Sequence, residues 1–504
     1  MENVFTTDRE KFRPYNSPEE FDRIVYYNSV GEMWENCVKE YAQRTAIEDD
    51  GKKYTYEQLE EQAAYLRPRF GEGKRVALLC PNSYDFVKAY LAIVTSGNTA
   101  VILPPQLPPE AVFGCCMKLG ANMLAYHPAL SEKLATVKAA APQFPLVDIT
   151  EAAAEKKDTV LSKPTDPCVV MFTGGTTGRS KGALLNHRAV IEGTVNGCYG
   201  VGHVFGQRYM LILPLSHVFG LIRNLMTCLY TGSAMFICRN NKDMFRDIAM
   251  FRPTIMVMVP ALAEMALTLS RKFGRNMLGD DLKYIICGAA AVSPYLIEEY
   301  PKMGISLLAG YGLTESANLV SGNPNSVGKP ESVGIPYPNQ QLRIVNGELW
   351  LKGDNMMDGY VGDEAENAAA YEDGWFKTGD LVKIDGDGYL YITGRSKEII
   401  VLANGENVSP AEVEARFNTP AFIADTQVFE DVLPNGTHIL ALEAVPRATE
   451  LKGVEGDVKE YITKELEKIN ATLPPYQRVS RIEIRDTDFE RTPSMKIVRY
   501  HKCK

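Results

Sequence analysis

The stretch Phe172-Thr-Gly-Gly-Thr-Thr-Gly-Arg-Ser-Lys-Gly182 sets three glycines and three threonines just before a lysine. Bare backbone N–H groups, hydroxyls and a cation together suit a polyphosphate: glycine lets the chain close on it, amides and hydroxyls donate, and lysine supplies charge. A P-loop needs GxxxxGK[ST]. Counted from Gly175, position 180 is serine and Lys181 is followed by Gly182, so that pattern is not met. Taken alone, the segment reads equally well as a turn.

Four further segments carry groups with chemistry. In Gly310-Tyr-Gly-Leu-Thr-Glu-Ser316, Tyr311 offers a stacking face, Thr314 a hydroxyl and Glu315 a carboxylate able to hold Mg²⁺. A loop with a structural tyrosine and a solvated glutamate is the plainer reading. Phe376-Lys-Thr-Gly-Asp380 leads into a β-hairpin whose second strand ends near Arg395. Asp380 and Arg395 then meet at its open end, as a surface ion pair or as a pair that holds two ribose hydroxyls. Leu213-Pro-Leu-Ser-His-Val-Phe-Gly-Leu221 puts His217 in apolar company, as a core histidine or as part of a pocket wall. Near the C-terminus, Lys496 lies among Phe489, Met495, Ile497 and Val498, where a basic tail is ordinarily solvated.

The elements that must position these groups follow from hydrophobic patterning. Pro167–Phe172 is a buried strand leading into the glycine/threonine loop, and Ile305–Leu308 one leading into Gly310. Between residues 30 and 320, strands such as Arg75–Cys80, Thr99–Leu103, Tyr209–Leu213 and Lys283–Cys287 alternate with helical patterns, which predicts α/β architecture with largely parallel sheets. In such sheets ligands collect at the carboxyl ends of strands. From 327 to 394 the texture turns to short alternating strands, a β-barrel-like subdomain. Beyond it comes a small α+β module: strand Glu398–Leu402, turn Ala403–Gly405, helix Pro410–Phe417, strand His438–Val445, helix Asp457–Thr472 and strand Arg481–Arg485. The predicted domains are 1–394, with α/β subdomains over 1–326, and 395–504.

Composition bounds the function. The 504 residues carry 45% hydrophobic residues and a net charge of −9, the balance of an ordinary multidomain globular protein. That charge disfavours nucleic acid as the main partner. Ten cysteines without a CxxC pair read as reduced core residues, and six histidines show no metal-ligand spacing. The polar N-terminus and the Gly/Pro-interrupted run Ala89–Pro109 read as neither signal peptide nor membrane span. A cytoplasmic location is expected.

In this order, the motifs resemble those of the adenylate-forming superfamily: acyl-CoA synthetases, luciferase-like enzymes and nonribosomal adenylation domains. The likeness runs from Tyr54 to Arg499. It implies a large N-terminal domain and a small mobile C-terminal lid. It implies that Thr173, Gly174, Gly175, Thr176, Thr177, Gly178 and Lys181 hold the ATP β- and γ-phosphates, and that Gly288, Ala289 and Ala290 line the adenine pocket. By the same resemblance Tyr311 stacks on adenine, Thr314 and Glu315 serve the α-phosphate and Mg²⁺, Asp380 and Arg395 bind ribose, Lys397 is the hinge, and Lys496 drives adenylation. Gly174, Ser180 and Met495 depart from the family's usual serine, proline and glycine.

The implied reaction joins a carboxylic acid to AMP and then to CoA. No acid stands near Ser216-His217 to pair with an amino-acid ammonium. His217, Val218, Leu221, Gly310, Ser316 and Asn318 are the expected acyl-pocket neighbours, and residues 395–410 resemble fatty acyl-CoA ligases. A medium- or long-chain fatty acid is the expected substrate, with a free acyl carrier protein as alternative acceptor and an aryl acid as alternative substrate. A non-catalytic nucleotide-binding regulator is the remote alternative. Monomer and homodimer both remain compatible.

Overall fold

The structure, a computed structural model, describes residues 4–173, 181–402, 406–433, 438–491 and 497–499. Two large sheets form the body. The first has nine strands, with Ser306–Tyr311, Tyr284–Cys287, Ile255–Met258, Arg208–Leu211, Ala234–Ile237 and Thr45–Asp49 side by side and parallel. The second has seven, centred on Pro167–Phe172, Thr99–Leu103 and Arg75–Leu79. These inner strands read as continuous apolar runs because helices cover them; Val76, Ala77, Leu78 and Leu79 are all fully buried. Helix Tyr84–Val94 is apolar around nearly its whole circumference and buried at every position but Asp85, as a helix packed among sheets must be. Ser83 caps it by accepting from the Phe86 N–H.

The third sheet is antiparallel and six-stranded, and it departs from the predicted 327–394 unit in one respect. Its edge strand is Val4–Thr6, which pairs with Gln341–Arg343. Three residues are too few to show a period, and the pairing spans most of the chain.

The C-terminal module has its own apolar cluster around Val413, Phe417, Val428, Leu442, Ile462 and Leu466. Helix Pro410–Phe417 forms as expected, and Asp457 caps helix Val458–Thr472. The expected strand Glu398–Leu402 is reduced to Ile400–Val401, because Ser396–Glu398 forms a 3₁₀ turn. The expected turn Ala403–Gly405 lies outside the described residues. Sequence reasoning missed the long strand Ile423–Val432, which pairs antiparallel with His438–Pro446; Asp425, Thr426, Gln427, Glu430 and Asp431 blur its alternation.

This module docks on the body through Arg447, which is 4% exposed. Its guanidinium reaches both oxygens of Glu264 at 2.5 and 3.0 Å and lies 3.8 Å from the Tyr295 ring centroid. Beside it Glu450 pairs with Arg271 and accepts from the Tyr295 hydroxyl at 3.0 Å. Removing one partner of such a buried pair strands the other, at about 3–5 kcal/mol. Glu264→Ala is therefore expected to raise the opening of the module by about 100-fold or more, read by hydrogen exchange across the docked face. Unchanged exchange would contradict this account of the docking.

Candidate active site

The site lies at the carboxyl ends of the parallel strands, where Tyr284–Cys287 runs into Gly288 and Ser306–Tyr311 into the Thr314 turn. At one end is the hairpin. Its register sets Asp380 directly opposite Arg395, and the Arg395 Nε donates to Asp380 Oδ1 at 2.8 Å. The Tyr311 hydroxyl donates to the other oxygen, Oδ2, at 2.5 Å. Burial first, and then the charge on Asp380, push the Tyr311 phenol well above its ordinary value, so it stays a donor. Two motifs 69 residues apart in sequence thus close on one 2%-exposed carboxylate.

Backbone strain shapes the neighbouring turn. Ala317 and Asn318 are consecutive non-glycine residues at φ 49° and 82°, a conformation such side chains rarely adopt. The turn folds back so far that a Cβ on Gly312 would lie 1.3 Å from the Asn318 carbonyl oxygen. Glycine is obligatory there. Thr314 is buried at the start of the 3₁₀ turn. Ser316 is fully buried, and its hydroxyl accepts from the Leu313 N–H and donates to the Leu313 carbonyl. Asn318 is buried with its Nδ2 unpartnered.

At the expected phosphate end, Pro167–Phe172 and Gly182–Asn186 pair antiparallel, and the Thr173 N–H donates to the Lys181 carbonyl at 2.8 Å. Thr173 and Lys181 therefore stand together at the two ends of the glycine-rich segment. Gly174, Gly175, Thr176, Thr177, Gly178 and Ser180 lie outside the described residues, as do Met495 and Lys496. The Lys181 Nζ meets Glu366 Oε2 at 2.5 Å and lies 4.7 Å from the Tyr360 ring centroid. The Tyr360 hydroxyl in turn donates to Glu315 Oε1 at 2.7 Å. Lys181 first, with Lys397 adding to the pull, holds the Glu366 carboxyl below its usual range. This cluster joins the phosphate loop, the expected Mg²⁺ carboxylate and the expected hinge.

Neither Tyr360 nor Glu366 was found by sequence reasoning. The Gly359-Tyr360 pair before an Asp363-capped helix was their only local signal. Among the described residues no group of three or more His, Cys, Asp or Glu side chains could hold a metal by itself. Glu315 as a single carboxylate fits Mg²⁺ that arrives largely coordinated by phosphate and water.

The expected acyl side is built on the turn after Arg208–Leu211. Asn82 bridges it, donating to the Leu213 carbonyl at 2.8 Å and accepting from the Leu215 N–H at 2.9 Å. The His217 carbonyl accepts from the N–H groups of Gly220 and Leu221, and its Nδ1 accepts from the Phe219 N–H at 3.2 Å. Val218 and Leu221 are buried. The Phe219 ring lies 3.6 Å from the Cβ position of Gly288, itself 3.1 Å from the Gly310 carbonyl oxygen. Gly288 is buried, Ala289 half-buried at φ 66°, and Ala290 exposed. The apolar turn, the Gly288 segment and Gly310 thus share one wall.

With this geometry in view, the comparisons are specific. Residues 34–361 match the model of the AMP-binding enzyme family, and 397–504 that of the AMP-binding enzyme C-terminal domain. The chain belongs to the AMP-binding enzyme family. Its relatives include 4-coumarate–CoA ligase-like 3 of Oryza sativa, 28% identical over 87% of this chain and 81% of the relative. A long-chain-fatty-acid–CoA ligase of Escherichia coli is 28% identical over 77% of this chain and 80% of its own length. The fold matches that of the anthranilate CoA ligase AuaEII in complex with anthranoyl-AMP, with TM-score 0.83 and 20% identity over 94% of this chain and 96% of that one. ATP, Mg²⁺ and CoA are typical of the family. Among the described residues no helix is long and apolar enough to cross a membrane.

Proposed function

We propose that this chain activates a carboxylic acid as its acyl adenylate and passes the acyl group to CoA, with an apolar-bodied acid of the medium- or long-chain kind as substrate. The observation that carries the reading is the doubly held Asp380 carboxylate, bound to Tyr311 at the strand ends where Gly310 and Gly288 approach each other. A buried carboxylate fixed at both oxygens has the rigidity needed to orient ribose hydroxyls.

Thr173 and Lys181 frame the pyrophosphate, and Lys181 leaves Glu366 to meet it. The carboxylate of the acid attacks the α-phosphorus, a carboxylate O–P bond forms, and the bond to the β-phosphate oxygen breaks to release pyrophosphate. Thr314 and Lys496 stabilise the charge that gathers on the α-phosphoryl oxygens. Glu315 would hold Mg²⁺, which would supply charge neutralisation on the phosphates. Val218 and Leu221 flank the acyl group, with His217 beside them. The lid, residues 395–504, then turns about Lys397, withdraws Lys496 and admits the thiol, which displaces AMP.

A pyrophosphate-release screen over fatty, aryl and amino acids, with and without CoA, tests this. Release with one class of carboxylic acid, stimulated by CoA, is expected. No release with any acid would contradict the reading, and stimulation by an acyl carrier protein in place of CoA would contradict the acceptor.

A further inference from the structure

The π-helical segment Phe219–Met226 that continues the His217 turn carries Arg223 and Asn224 inside a run that is apolar at its other positions. Arg223 is 2% exposed, yet its Nη1 has no hydrogen-bond partner. No carboxylate pairs with it among the described residues. The groups that feel its charge are Tyr209, Tyr337 and Cys198. Burial pushes all three up, Tyr337 and Cys198 to about 12, so all are neutral. The Tyr209 hydroxyl beside it makes no hydrogen bond of good geometry, and the nearby Arg223 charge offsets only part of the rise that burial gives its phenol. A guanidinium stays charged at any accessible pH, and burying one without counter-charge is strongly unfavourable. An uncompensated group of this kind asks for a ligand.

Its place in the fold says which ligand. A π-helix bonds each N–H to the carbonyl five residues back, so Val218 and Arg223 lie one turn apart. Phe219, at the outer turn, packs on Gly288. Tyr337, within reach of Arg223, sets its hydroxyl 2.0 Å from the Cβ position of Gly322, and Gly322 is the strand partner of Gly310. Arg223 therefore stands one helical turn further in than the acyl-side wall, behind its glycine-lined strand ends.

We infer that Arg223 is the inner recognition group of the acyl pocket, and that the substrate carries a second oxyanion at its far end, in the simplest case an α,ω-dicarboxylic acid. The inference rests on the acyl-activating reading and narrows its substrate. The distal carboxylate accepts from Arg223 and from the Tyr209 hydroxyl, the apolar body lies along Val218 and Leu221, and the proximal carboxylate faces ATP.

The test uses the full-length protein and its Arg223→Met variant with matched pairs of mono- and dicarboxylic acids of six to ten carbons, read as CoA-dependent pyrophosphate release. The wild type is expected to favour the diacid by about 100-fold in kcat/KM, the size of effect a charge-assisted pair supplies. In Arg223→Met that ratio is expected to fall to about 1 or below. A wild type that favours the monoacid, or a variant that loses both equally, overturns the inference. Thermal unfolding gives a second readout. Ligand-free Arg223→Met is expected to melt no lower than wild type, since it sheds an unpaired buried charge, and a diacid is expected to raise the melting point of the wild type alone. If neither acid class releases pyrophosphate, the acyl-activating reading fails, and melting decides the Arg223 site by itself. A diacid-specific shift confined to wild type supports it, and no such shift overturns it.

Discussion

Replacing Lys496 by alanine is expected to slow acyl-AMP formation by about 10²–10³-fold while sparing thioester formation from supplied acyl-AMP. In the adenylation step an oxyanion character develops at the α-phosphoryl oxygens. A preorganised cation aimed at that charge is worth about 3–4 kcal/mol in a water-poor site. Lys181 is not expected to replace it, because its proposed role is to leave Glu366 and Tyr360 for the departing pyrophosphate. In the proposed second half-reaction the acyl–phosphate bond breaks after the lid has turned, so that Lys496 would no longer stand at the reacting centre. The two halves are therefore measured separately, by acid-dependent ATP–pyrophosphate exchange and by CoA consumption from acyl-AMP. Equal loss in both would remove Lys496 from its assigned role.

Asp380→Ala is expected to raise the KM for ATP by about 30-fold or more with a smaller change in kcat. The carboxylate is the common acceptor of Arg395 and Tyr311. Its loss removes the proposed ribose contact and also strands a half-buried guanidinium and phenol, and each charge-assisted bond of this kind contributes about 1.5–3 kcal/mol. The loss falls on binding because ribose is held alike in the ground and transition states. An unchanged KM for ATP would exclude the ribose role.

What could be read without coordinates was local. Glycine and threonine around Lys181, the Gly310–Ser316 turn and the Asp380/Arg395 register are each set by spacing within a loop or a hairpin, so the chain order alone brings their groups together. Contacts made across the fold left no such trace. Tyr360 meets Glu315 over a separation of 45 residues, and Glu366 meets Lys181 over 185. Nothing near Glu366 in sequence marks it as the partner of a loop lysine. Val4–Thr6 was too short to show a period, and Ile423–Val432 too polar. Arg223 is the sharpest case. In Phe219-Gly-Leu-Ile-Arg-Asn-Leu-Met226 a single arginine reads as the solvated edge of a helix, and only its burial without a counter-charge turns it into a candidate ligand group.

The account's central claim is an acyl adenylate formed by attack of a carboxylate on the α-phosphorus of ATP. Turnover of an acid labelled with ¹⁸O in its carboxylate, followed by mass analysis of the nucleotide product, tests it most directly. The account predicts AMP carrying one ¹⁸O atom, left behind when CoA displaces the acyl group. Unlabelled AMP, or ADP and labelled inorganic phosphate in its place, would contradict it.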